Sequence, residues 1–149
     1  MIINLIGEWP PELAAAASAV AEQAQAAHAV NLPTGDVNLK LVDAIESQEL
    51  NKRYSGNAYA TDVLTFNYHD DDEQTATSAD IVICADVAQE QAKTAGNGLA
   101  DEVALLVAHG VLHAAGSDHD TLAARKAMER AQQEWVQAAG YRYRDLKWE

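Results

Sequence analysis

Positive charge is what this chain has least of. Against 23 aspartates and glutamates stand only 10 lysines and arginines, a formal net charge of −13 over 149 residues. Such a surface repels phosphate backbones at long range, so nucleic-acid binding would need a local basic patch or a partner protein. The few cations are grouped: Lys52 with Arg53, then Arg125, Lys126 and Arg130, then Arg142, Arg144 and Lys147. From charge alone, each group reads as a solvated face. Cysteine is reduced to Cys84, which excludes an internal disulfide and fits a reducing cytoplasm. No long uncharged apolar run is present. The nearest candidate, Leu13 to Val30, is alanine-rich and carries Glu22, Gln23, Gln25 and His28, so it reads as an amphipathic helix of a soluble protein and not as a membrane span. The start, Met1 to Ile6, is too short for a secretory signal and lacks its basic residues. The length predicts one domain, residues 1–149, with a hydrophobic core.

The pattern along the chain predicts an α+β unit without repeats. Ile2 to Ile6 reads as a short strand, and Pro10-Pro11 suits the start of the alanine-rich helix. Asn31 to Gly35 breaks the pattern. Val37, Leu39 and Leu41 alternate with polar residues and predict a half-buried strand. Asp43 to Tyr54 reads as a helix with Ile45 and Leu50 on its inner side. Asp62 to Tyr68 and Asp80 to Cys84 read as strands able to pair antiparallel across the acidic loop His69 to Ser78. Helices follow over Asp86 to Ala95, Leu99 to Ala115 and Thr121 to Ala139, with Gly140 capping the last.

Three of the five histidines lie within eleven residues, His109-Gly110-Val111-Leu112-His113-Ala114-Ala115-Gly116-Ser117-Asp118-His119. On a helix, residues four apart are offset by about 40°, so His109 and His113 share a face. Gly116 can turn the backbone and return His119 toward them. Three imidazoles with a fourth position open are the ligand set of a catalytic zinc, one ion per chain, although three imidazoles also suit other divalent metals. The metzincin peptidase pattern has the same register of histidines and glycine, with a glutamate base after the first histidine. Here that position is Gly110, which cannot accept a proton, and this argues against peptide hydrolysis.

His109-Gly-x-Leu-His113-x-x-Gly116-x-Asp118-His119 resembles the signature of the YbeY family of bacterial rRNA maturation factors. Glu49-Leu50-Asn51, Tyr54, Gly56 and Thr61-Asp62-Val63-Leu64-Thr65-Phe66 are similar to a second family segment. Asp80-Ile81-Val82-Ile83-Cys84 is similar to a third, and Leu112 and Met128-Glu129 also match. The resemblance implies a mixed four-stranded sheet packed against about five helices. It implies zinc on His109, His113 and His119. It further implies a single-strand-specific endoribonuclease acting in 16S rRNA 3′-end maturation, small-subunit assembly and ribosome quality control. Implied partners are rRNA, the small ribosomal subunit, and a ribosomal protein or assembly GTPase.

This chain departs from the family pattern beside its second segment. Ser55 stands where the family has an arginine, and Asn57-Ala58 where it has Lys-Asp. An arginine would offer a cationic fork to phosphate; serine offers a neutral hydroxyl. Arg53, two residues earlier, is the substitute candidate for substrate binding, although on a helix it points elsewhere. Asp118 has two open roles, fixing a histidine tautomer or stabilising the turn. Asp80 reads as a structural turn contact or a catalytic group, Cys84 as a buried thiol and not a nucleophile, and Asp70-Asp71-Asp72-Glu73 as a solvated loop. His28 and His69 read as unrelated to the cluster. A metal-dependent endoribonuclease is favoured over two alternatives: a hydrolase of another substrate, and a non-cleaving ribosome-assembly factor with a zinc site.

Overall fold

Alternation builds the sheet. The computed structural model describes residues 1–27, 31–70 and 75–146, and gives four strands and five helices: β1 (Ile2–Ile6), α1 (Pro11–Ala27), β2 (Asp36–Val42), α2 (Ala44–Ser55), β3 (Val63–Tyr68), β4 (Ser78–Cys84), α3 (Ala85–Ala95), α4 (Leu99–Ala114) and α5 (Leu122–Ala138). The α+β class and the mixed sheet expected from the sequence are both present. Strand order is β1-β2-β4-β3. β1, β2 and β4 run parallel, and β3 pairs antiparallel with β4, Val63 opposite Ile83 and Tyr68 opposite Ser78. β3 is therefore an edge strand.

Because side chains alternate across a strand, the sheet has two unlike faces. Val37, Leu39, Ala79, Ile81 and Ile83 turn toward α1 and α4 and are fully buried. The opposite face holds a smaller cluster of Val42, Val82 and Cys84, joined by Leu50, Leu64 and Phe66. α4 is apolar nearly all round and touches α1, α3, α5, β3 and β4. A helix of that kind belongs inside a protein, and here it is the central post of the helical layer.

Its approach to the sheet is set by Gly110. A Cβ built there would lie 2.7 Å from Ile81 Cγ2, closer than atoms can pack. The residue that the sequence marked as a missing base is thus a spacer between helix and sheet, with no room for a glutamate.

One inner-face expectation is corrected. Ile45 is 70% exposed, and the buried positions of α2 are the polar Ser47 and Asn51. Ser47 Oγ donates to the Thr61 carbonyl and Asn51 Nδ2 to the Tyr59 carbonyl, both at 2.9 Å. α2 therefore buries amide and hydroxyl groups to hold the loop over 57–61, which an apolar pattern cannot reveal. The end of the alanine helix at His28 to Val30, and Asp71 to Glu73 of the acidic loop, fall outside the described residues.

Candidate metal centre

The last turn of α4 brings the histidines together. His109 and His113 project from one face, with ring centroids 4.5 Å apart. The helix then closes with the Ser117 N–H donating to the Leu112 carbonyl at 2.9 Å and the Gly116 N–H to the His113 carbonyl at 3.0 Å. Gly116 takes φ +88°, the left-handed conformation that suits glycine at a helix end. The reversed chain returns His119, whose ring lies 5.5 Å from His113 and 6.4 Å from His109. Arg125 Nε donates to the His119 carbonyl at 3.0 Å, and Thr121 Oγ1 accepts from the Ala124 N–H to start α5. The turn is thereby tied at both ends.

Across from the histidines runs the edge strand. His109, His113 and His119 share a cleft of about 390 Å3 with Asp62, Val63, Leu64, Thr65 and Asn67. Asn67 Nδ2 donates to the His113 carbonyl at 3.0 Å, which ties β3 directly to α4. Asp62 Oδ1 accepts the Val63 N–H at 2.8 Å, and Asp62 is the carboxylate on that wall.

Two of the rings are held toward the neutral form that a metal needs. Burial, reinforced by the neighbouring His109 and His119, pushes His113 down to about 4. Burial also holds His109 below the ordinary imidazole range, although its bond to Gln132 works in the other direction. His109 Nδ1 lies 2.8 Å from Gln132 Oε1. An amide oxygen only accepts, so Nδ1 bears the proton and Nε2 keeps its lone pair toward the cleft. The Nε2 atoms of His109 and His113 are 3.0 Å apart, near the roughly 3.3 Å that two bonds of about 2.05 Å at a tetrahedral angle require. Here the two rings hydrogen-bond each other, and among the described residues no three His, Cys, Asp or Glu groups already stand as a ligand set. The three imidazoles and the His109 tautomer fit a divalent ion; His113 Nε2, the donor to the bare His109 Nε2 in this ring–ring bond, would give up that proton to ligate through the same atom.

Gln132 is the residue that sequence reasoning missed. It lies fully buried on α5 in the stripe Met128, Gln132, Trp135, Val136. An amide inside an otherwise apolar stripe is a signal that something needs it. The tautomer-fixing role considered for Asp118 falls at His109 to Gln132. Asp118 is exposed, and its Oδ1 accepts the Asp120 N–H at 3.3 Å within the turn. Arg53 and Ser55 are exposed at the end of α2 and do not line the cleft, while Asp80 Oδ2 accepts from Tyr68 Oη at 2.9 Å on the other sheet face. Cys84 is buried, and His69 lines a neighbouring hollow with Asn67 and Gly116.

The sequence profile of a family described as Endoribonuclease YbeY matches residues 8–140. The chain belongs to that family. An Endoribonuclease YbeY of Herminiimonas arsenicoxydans is 43% identical over 115 residues, 74% of each chain. One from Janthinobacterium sp. (strain Marseille) is 40% identical over 111 residues, 74% of this chain and 73% of the relative. In structure, a Thermotoga maritima protein known in solution superposes with a TM-score of 0.65 at 28% identity, over 93% of this chain and 89% of its own. The matched YbeY segment spans both the histidine turn and the β3 wall opposite it. No helix among the described residues is long and apolar enough to cross a membrane.

Proposed function

We propose that this protein is a zinc-dependent, single-strand-specific endoribonuclease acting in the cytoplasm on the 3′ end of 16S rRNA during small-subunit maturation and quality control. One observation carries the reading. In a chain of the YbeY family, three imidazoles, two of them held toward the neutral form by burial, face an edge strand across an open cleft. Bound to His109, His113 and His119, zinc would supply a Lewis acid that offsets charge developing on the phosphodiester.

The chain's own groups prepare that site. Gln132 keeps the proton of His109 on Nδ1, so Nε2 faces the cleft as a lone pair. Burial keeps His113 unprotonated at neutral pH. Arg125 and Gly116 fix the reversal that presents His119. Asn67 bonds the helix end, so the wall against which RNA must lie is held at a set distance from the rings. Gly110 has no space for a carboxylate, which argues against a peptidase with its base at that position.

Metal content and cleavage of single-stranded RNA test the proposal together. Wild type should bind about one zinc and cut, and His113→Ala should lose both. Cleavage that survives both His113→Ala and chelation would remove the metal from the reaction. A second reading is favoured by exposed Ser55 at the family's arginine position: a non-cleaving assembly factor docking on the small subunit, a ribosomal protein or an assembly GTPase. No cleavage by wild type, with gain on Ser55→Arg, would select it.

A further inference from the structure

The face of β3 turned away from the large core carries an aromatic row that neither the core nor the histidine cleft explains. Leu64, Phe66 and Tyr68 share that face because side chains two apart point the same way. Tyr54, from the last turn of α2, meets Phe66 edge-to-face with ring centroids 4.9 Å apart. Tyr54 is 60% exposed and Tyr68 49% exposed, although large aromatic surface left in water is costly.

The row is braced. Phe66 packs on the small cluster of Val42, Val82 and Cys84. Tyr68 Oη donates to Asp80 Oδ2 at 2.9 Å, and Asn38 Nδ2 donates to Asp80 Oδ1 at 3.0 Å. The row is also continuous with the cleft, since Leu64 belongs to both, and only the width of the edge strand separates them. Lys52 and Arg53 occupy the same last turn of α2 as Tyr54, and among the described residues neither is in an ion pair.

We propose that Tyr54, Phe66 and Tyr68 form a stacking platform for unpaired bases, from which single-stranded RNA crosses the edge strand into the histidine cleft. This role presupposes that RNA is the substrate. Stacking offers a way to hold RNA that does not depend on positive charge, in a chain of net charge −13 that has Ser55 in place of an arginine. Aromatic rings bind any base by its π-face. Bases inside a duplex have those faces covered, so the platform selects unpaired strands. Lys52 and Arg53 would contribute one or two phosphate contacts beside it.

Fluorescence anisotropy with a short, labelled, unstructured 2′-O-methyl RNA, single-stranded or annealed to its complement, tests the platform on the full chain. The wild type should prefer the single strand, with an affinity falling only shallowly between about 50 and 200 mM salt, as one or two phosphate contacts dictate. Tyr54→Ala should weaken single-strand binding by roughly five- to a hundredfold, the range for loss of one stacked base, while Tyr54→Phe binds as wild type. Tyr54 is exposed, so an unchanged melting temperature of the variant separates lost stacking from lost folding. Equal binding by Tyr54→Ala and wild type, in a protein that still cleaves RNA, overturns the platform and leaves the endoribonuclease reading standing. Equal affinity for duplex, or a salt slope requiring many phosphate contacts, overturns it as well. A wild type that neither binds nor cuts RNA overturns both.

Discussion

At the scale of single residues, Gly110 and Gln132 are explained by what surrounds them and not by their own chemistry. A glycine inside a helix costs about 1 kcal/mol relative to alanine, so Gly110→Ala would stabilise an exposed helix. Here the added Cβ meets Ile81 Cγ2 at 2.7 Å, and overpacking costs about 1–3 kcal/mol. We expect Gly110→Ala to lower stability in urea unfolding, and the double variant with Ile81→Ala to lose less than the sum of the two single losses, because the buried Ile81 is itself part of the core. A variant as stable as wild type would show that the helix is not spaced by this contact. For Gln132→Leu we expect zinc affinity to fall about 10- to 100-fold, the range for loss of a ligand's supporting hydrogen bond, read by competition with a chromophoric chelator. Unchanged affinity would leave Gln132 a packing residue. The histidine spacing was legible because four-residue spacing on a helix and a following glycine are local facts. Gln132 was not, since its contact depends on how α5 lies against α4.

Among elements, the segment after α5 is the least regular and still firmly attached. Glu102 is fully buried on α4 and paired with Arg144, whose Nε lies 3.0 Å from Glu102 Oε2. Removing one partner of a buried pair strands the other charge, so Arg144→Met should cost about 3–5 kcal/mol, and Glu102→Met added to it should restore much of that. Chemical unfolding of the single and double variants checks both; a harmless Arg144→Met would mean that Glu102 finds water or another donor. Tyr143, one residue earlier, has its phenol pushed up to about 12 by burial. The unfolded chain ionises at about 10, so between these values the unfolded state loses a proton that the folded state retains. Stability should therefore fall as pH rises from about 10 to 12, less so in Tyr143→Phe; parallel curves for the two proteins would refute the assignment. The strands and helices were readable from alternation and periodicity, including the β3–β4 hairpin. The order β1-β2-β4-β3 was not, because parallel neighbours are joined by crossovers that leave no local signature. Ile45 misled for a related reason: α2 is anchored through Ser47 and Asn51, whose polarity suggests exposure.

For the molecule as a whole, the large core closes without the histidines. Leu39, Ile81, Leu106 and Leu112 are fully enclosed by the sheet, α1 and α4, while the three rings sit at the rim of that core. Chelation should abolish cleavage yet leave a cooperative thermal transition and an unchanged far-ultraviolet spectrum, unlike small domains that fold only around their metal. Loss of the transition on chelation would make the metal part of the fold. Two candidate ligands ride on α4, the element in contact with most of the others, so their half of the cleft cannot be remodelled without disturbing the entire interior. The opposite bank, made of the outer strand, is constrained by fewer neighbouring elements. Ser55 and Asn57-Ala58, the positions that differ from the pattern this sequence resembles, follow at the end of α2, outside the cleft lining. Variation in which RNA is accepted thus has a permitted address in this architecture, and inheritance can alter substrate preference there while the reactive centre stays as it is.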